Sequence, residues 1–241
     1  CRFTQKTAKF KLNLTVCPWE YLPPQAEEVK GEVKMTNCYM VAPGGRVDIP
    51  TENVYKIWAQ QVEFGNIPIP DGDVMAELVW QDEQGVIADG GITVVNALER
   101  ERAYLQVRTA KEGNAVVAMK VNGEIYWSWH IWCTDYEPNV TEGQKFFNNL
   151  VWMDRNLGAM TNEYTIDGGV KGLLYEWGRK DPFPSAENWT QKEKTLYTEN
   201  SVTNVRFKVA EVENLVESVR EPLTYITNER SWGDWYTNSV S

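Results

Sequence analysis

Ala115-Val116-Val117-Ala118-Met119-Lys120-Val121-Asn122-Gly123-Glu124-Ile125-Tyr126-Trp127-Ser128-Trp129-His130-Ile131-Trp132-Cys133 holds two apolar runs joined by Asn-Gly. Between such runs Asn-Gly is the strongest short-range sign of a two-residue β-hairpin, because both residues accept positive φ. Alternation sorts the second run into Ile125, Trp127, Trp129, Ile131 and Cys133 on one side, and Tyr126, Ser128, His130 and Trp132 on the other. The first set is uniformly apolar and is expected to face a core. The second is mixed, to be half exposed or covered by the segment that follows.

Working outward, short β-rich runs recur at Cys38–Val41, Val54–Gln61, Ala76–Trp80, Gly85–Ile87 and Tyr104–Thr109. Turn chemistry separates them: Pro43-Gly44-Gly45, Pro70-Asp71-Gly72-Asp73 and Lys111-Glu112-Gly113-Asn114. Together with the hairpin they predict six or seven strands between 37 and 138, the density of an immunoglobulin-like β-sandwich. Residues 1–22 read as one strand, the terminal strand of a preceding domain, and 23–36, with Leu22-Pro23-Pro24, as a linker. After Asp135-Tyr136-Glu137-Pro138 the alternation weakens, and 139–241 read as an irregular α+β domain. Within it Val212–Arg220 predicts a short amphipathic helix with Leu215, Val216 and Val219 on one face, stopped by Pro222.

The net charge of −10 argues against nucleic acid or an anionic membrane as the main partner. No run is long and apolar enough to span a bilayer, which takes ~20 residues. Cys1-Arg2-Phe3-Thr4 does not read as a signal peptide, so the chain looks like a mature or excised piece. Cys1 invites a lipid-anchored reading, although the alternation from Lys9 to Val16 leaves little tether. Cys1, Cys17, Cys38 and Cys133 lack CxxC spacing, and with a single histidine in the chain this argues against a Cys/His zinc site. Cys38 and Cys133 lie on apolar strands, as a disulfide or as two buried thiols. A Cys1–Cys17 bridge would clip the N-terminal element. No cofactor or metal is expected.

Asn37-Cys38-Tyr39-Met40-Val41-Ala42-Pro43-Gly44, Gly113-Asn114-Ala115-Val116-Val117-Ala118 and Trp127-Ser128-Trp129-His130-Ile131-Trp132 resemble stretches of Bacteroidota surface proteins. So do Trp152-Met153-Asp154-Arg155-Asn156-Leu157-Gly158-Ala159 and Leu174-Tyr175-Glu176-Trp177-Gly178-Arg179-Lys180-Asp181-Pro182-Phe183. These are fimbrillin-like adhesins carrying a Fibrobacter succinogenes major paralogous (FISUMP-type) domain. Phe10–Tyr21 is similar to the closing strand of a fimbrillin-like domain. The resemblance implies export, a place at the cell surface or fimbrium in association with the outer membrane, and work at or near a pilus tip. It also implies a C-type-lectin-like architecture for 139–241, and it carries no established catalytic residue. Such proteins continue past Ser241 into a Cys-Pro-x-Gly-Trp-type segment, so the last domain is expected to be incomplete.

Among candidate sites, Asp154-Arg155-Asn156 reads as an internal brace, with Arg155 forking to a carboxylate or to backbone carbonyls, ahead of a polar recognition triplet. Trp177-Gly178-Arg179-Lys180-Asp181 reads structurally too, with Arg179 able to stack on Trp177. Any Ser-His-Asp or Cys-His pair must use His130, whose strand neighbours are tryptophans, and a packed histidine is the expectation. Asp71/Asp73 and Asp82/Glu83 lack an EF-hand frame and read as solvated turns. Trp127, Trp129 and Trp152 read as core and domain-junction packing. The recognition lead falls on Trp189, Trp232, Trp235 and Tyr236, which sit in polar, loop-like sequence where aromatic faces can stack on sugar rings or anchor an interface.

The sequence therefore predicts a non-enzymatic adhesion or pilus-tip subunit. It would bind a host or bacterial glycan or protein through its C-terminal domain, and other pilus or surface subunits through its N-terminal strand region. Strand addition is the expected assembly mode. A carbohydrate-active hydrolase or accessory module, and a purely structural spacer, are the alternatives.

Overall fold

At Asn122 and Gly123 φ is 52° and 85°, so the two-residue turn expected there closes, with Val121 opposite Glu124. The computed structural model describes residues 14–16, 35–60, 64, 66–138, 143–164, 169–176, 178–185, 194–209 and 215–227. Its first half holds β1 (Leu14–Val16), β2 (Cys38–Val41), β3 (Arg46–Pro50), α1 (Glu52–Gln60) and β4 (Val74–Gln81). Next come β5 (Ile87–Val95), a 3-10 turn at Ala97–Arg102, β6 (Tyr104–Thr109), β7 (Gly113–Val121) and β8 (Glu124–Cys133). Two hairpins follow, β9 (Gln144–Phe147) with β10 (Leu150–Met153) and β11 (Leu173–Tyr175) with β12 (Pro182–Pro184). The described chain ends with β13 (Leu196–Tyr197), β14 (Val202–Thr203), β15 (Arg206–Val209), α2 (Leu215–Arg220) and β16 (Thr224–Thr227). The fold is mostly β, in several sheets.

Among the described residues the largest sheet runs β1-β2-β8-β7-β4-β13-β14, and a second runs β3-β6-β5. β2 lies parallel to β8, whereas β8, β7 and β4 are antiparallel neighbours. The two sheets share one core: Val47, Ile49, Leu105 and Val107 meet Val117, Met119, Trp129 and Ile131. On the outer face of the large sheet, Val116, Ala118 and Trp80 pack with Leu196 and Leu223, and Cys38, Met40 and Trp132 pack with Tyr136. Covered on both faces, β7 and β8 are buried almost throughout, and their near-continuous apolar sequence follows from that. The core also crosses the expected boundary at 138, since Leu215, Val219 and Ile226 join the sandwich cluster.

Three features of the β-rich half differ from the sequence reading. Val54–Gln61 does not form a strand; Glu52–Gln60 is α1. Val54, Tyr55, Ile57 and Trp58 are spaced to bury one helical face, and Glu52 and Lys56 form an i,i+4 ion pair of 2.5 Å on the helix surface. The strand that fills the vacant place is β3, whose alternation around Asp48 was not singled out. Third, the side assignment at the start of β8 inverts. The ladder pairs Met119 with Trp127 but Lys120 with Ile125, leaving Tyr126 as the extra residue of a β-bulge. Tyr126 therefore joins the sandwich core beside Trp58, and Ile125 packs on the outer face.

Candidate binding site

The outer face of β8 is covered, and Ser128 and His130 on it are both hydrogen-bonded. His130 Nε2 lies 2.9 Å from Asn114 Oδ1, and Nδ1 lies 3.1 Å from Cys38 Sγ. Asn114 Nδ2 donates to Asp82 Oδ2 at 2.8 Å and to the Gly158 carbonyl at 3.0 Å. Burial holds the His130 imidazole down to about 3, so the ring is neutral at physiological pH. Burial raises Asp82 against the opposing pull of Lys194 and Asn114, so Asp82 is not a solvated turn residue. His130 is a packed histidine.

Cys38 and Cys133 are free, buried thiols. Cys38 packs with the outer cluster and Cys133 with the sandwich core, so the sheet itself stands between them and no bridge joins them. Cys1 and Cys17 lie outside the described residues.

A second buried group joins β8 to the loop before β12. Lys180 Nζ donates to Ser128 O at 2.9 Å, Ser128 Oγ at 2.5 Å and Asp181 Oδ1 at 2.6 Å. Burial lowers the Lys180 ammonium, and the Asp181 carboxylate opposes that. Next to it, Arg179 donates to Glu176 at 3.2 Å, to the carbonyls of Ser218 at 3.0 Å and Glu221 at 2.9 Å, and to Thr224 O. Two of those carbonyls lie at the C-terminal end of α2, where backbone oxygens lack helical partners. Trp177 lies outside the described residues; the ring under the Arg179 guanidinium is Phe183, at 5.1 Å.

Asp154, Arg155 and Asn156 meet on the wall of an open cleft of about 590 Å³. Val151, Trp152, Thr161, Asn162 and Val170 also line it. Arg155 forks onto Asp154, with Nε at 2.8 Å and Nη2 at 3.4 Å, and gives Nη1 to Met160 O at 3.0 Å. Its guanidinium stacks 4.1 Å from the Tyr136 ring centroid, and the Tyr136 hydroxyl donates to Gly143 O at 2.6 Å. Asn162 Nδ2 donates to Asp154 Oδ2 at 2.7 Å, and Asn156 Nδ2 to Val170 O at 3.0 Å. The three residues of the brace thus also line the cleft.

No family model, no curated protein and no solved structure matches this chain.

Trp152 corrects the reading of it as packing: it is 53% exposed, whereas Trp127 and Trp129 are buried in the sandwich core. The cause is the β9–β10 hairpin, closed by Asn148 and Asn149 at positive φ, which leaves Phe146, Phe147, Leu150 and Val151 exposed with it. Trp189, Trp232, Trp235 and Tyr236 lie outside the described residues. Sequence reading gave no role to Asn114, Ser128, Lys180 or Asn162: Asn114, Ser128 and Lys180 are joined to partners distant in the chain, and Asn162 to Asp154, eight positions before it. The Asn-Asn pair between apolar runs was the one local sign of the hairpin. Among the described residues no cluster of three or more His, Cys, Asp and Glu is arranged to hold a metal ion, and no helix is long and apolar enough to cross a membrane.

Proposed function

We propose that this chain is an exported, non-catalytic adhesion or pilus-tip subunit that binds a glycan or protein ligand at the Trp152 cleft. The observation that carries the binding reading is the juxtaposition of a half-exposed indole with a prebuilt polar wall of Asp154, Arg155, Asn156 and Asn162. Small-ligand sites combine an apolar surface with a few fixed polar groups, in volumes of ~300–1,000 Å³. The resemblance of the Trp127–Trp132 and Trp152–Ala159 stretches to fimbrillin-like adhesins supports the surface location and the pilus partners. Glycoside hydrolysis in its usual form uses two carboxylates across a cleft, and Asp154 is the one carboxylate among the described lining residues.

With this goes a proposed architecture of an immunoglobulin-like sandwich over 37–138 followed by a C-type-lectin-like domain over 139–241, with 1–22 and 23–36 as terminal strand and linker. The sheet β3-β6-β5 and the ladder β4-β7-β8 support the first part, because they match the B-E-D and C-F-G orders of that fold. The experiment is binding of the full chain to immobilised glycans and host glycoproteins, for wild type and for Trp152→Ala, Trp189→Ala and Trp235→Ala. Loss in Trp152→Ala supports the cleft. Absence of binding to every glycan and glycoprotein surface defeats the adhesin reading.

A further inference from the structure

We infer that the Trp152 cleft takes a neutral, hydroxyl-rich pyranose, an inference that rests on the binding reading above and names its ligand class. The argument is donor and acceptor accounting. Asn162 gives its Nδ2 to the Asp154 carboxylate and Asn156 gives its Nδ2 to backbone carbonyls, so the orientation of both amides is set by partners that only accept. Each Oδ1 has no partner among the described residues and remains an acceptor on an exposed side chain. Thr161 Oγ1 accepts from Glu163 N at 3.0 Å and keeps its hydroxyl hydrogen for a ligand. The wall thus asks mainly for donors, which sugar hydroxyls supply.

The charged residues among its described lining, Asp154 and Arg155, are already paired with each other. The Arg155 side chain is 14% exposed, and its fork is closed on Asp154 and Met160 O. Among the described lining residues an acidic sugar finds no open guanidinium, and a cationic ligand finds Asp154 paired. The net charge of −10 adds long-range repulsion of anions. Lys145, across the ladder from Trp152, is the cation an acidic sugar would use, and so the acidic series is the proper competitor in a test. Trp152 supplies the remaining element, a flat apolar face for the C–H face of a sugar ring.

The test titrates the full chain with neutral oligosaccharides ending in glucose, galactose or mannose, and with the same cores capped by sialic acid, glucuronate or sulfate. Expected is saturable binding of at least one neutral series. Trp152→Ala weakens it about tenfold or more, Trp152→Tyr restores part of it, and Asn156→Ala and Asn162→Ala each weaken it several-fold. Binding confined to acidic glycans overturns the inference and leaves the adhesin reading standing. Neutral binding unchanged in Trp152→Ala overturns the placement. Failure of both series overturns the sugar, and the glycoprotein surfaces then decide the adhesin reading separately.

Discussion

His130 Nε2 stands 2.9 Å from Asn114 Oδ1, and this contact fixes the tautomer of the buried ring. Because Asn114 commits Nδ2 to Asp82 and to Gly158 O, its Oδ1 must accept, so Nε2 carries the imidazole hydrogen. Nδ1 is then bare and accepts from the Cys38 thiol at 3.1 Å. Four side chains and one backbone carbonyl form a chain with a single direction, tying β2, β7 and β8 to the loop that carries Gly158. Asn114→Leu removes the links from His130 Nε2 to Asn114 Oδ1 and from Asn114 Nδ2 to Asp82 and Gly158 O, and leaves the Cys38–His130 contact and the backbone bond from residue 114 to Asp82. It is expected to cost about 2–4 kcal/mol in chemical unfolding, because His130 Nε2 loses its acceptor in a buried site and Asp82 Oδ2 and Gly158 O lose the Asn114 amide donor.

The same ring sets a pH dependence. The unfolded imidazole binds its proton near 6.5, whereas the folded one does so only at about 3. Between those values the unfolded state holds more protons, so this contribution is complete above about pH 6.5 and declines as pH falls, by about 1.4 kcal/mol per unit. Asp82 and Glu176 have raised pKa values and work in the opposite sense, losing stability as pH rises through their titration. The urea midpoint measured from pH 4 to 7.5 in wild type and His130→Gln separates the terms, and the variant is expected to show the flatter profile below 6.5.

Lys180 and Asp181 are a buried pair, with side chains 2% and 3% exposed. Lys180→Met leaves the Asp181 carboxylate uncompensated and is expected to cost about 3–5 kcal/mol, whereas Lys180→Met/Asp181→Asn recovers much of that. Equilibrium unfolding of both variants checks the order.

Gly158 adopts φ +81°, and a Cβ there would sit 2.5 Å from Leu173 Cγ and 3.0 Å from Asn114 Oδ1. Gly158→Ala is expected to cost about 2–4 kcal/mol, from left-handed strain and crowding of the relay. Thermal unfolding measures it, and weaker glycan binding should accompany it, since this loop joins the cleft wall to the sheet.

Trp132 and Trp152 should part company on truncation. Trp132 is fully buried against Tyr136, so Trp132→Ala is expected to cost about 3–5 kcal/mol. Trp152→Ala is expected to stay within about 1 kcal/mol while removing binding. Unfolding and binding measured on the same preparations test the contrast.

The β7–β8 hairpin was legible because Asn122-Gly123 demands one turn and both flanking strands are rich in apolar residues, uniformly so on one side of β8. The side assignment failed at Ile125 and Tyr126, since a bulge inserts one residue without any change of composition. α1 was read as a strand because Val54, Tyr55, Ile57 and Trp58 are favoured in sheets, and their helical spacing carries meaning only beside the core they fill. Asp154-Arg155-Asn156 announced an ion-paired brace from its chemistry alone. That the brace lines a cleft under Trp152 depends on Asn162 and on a hairpin that projects, and neither follows from local propensity.

The central claim is that Trp152 touches the ligand, and fluorine NMR of the 5-fluorotryptophan-labelled chain tests it most directly. The Trp152 signal is assigned by its loss in Trp152→Phe, and neutral oligosaccharide is then added. The account predicts a saturable shift of that signal, with those of the buried Trp129 and Trp132 unmoved. A shift confined to the signals of Trp189, Trp232 or Trp235, with Trp152 silent, would contradict it.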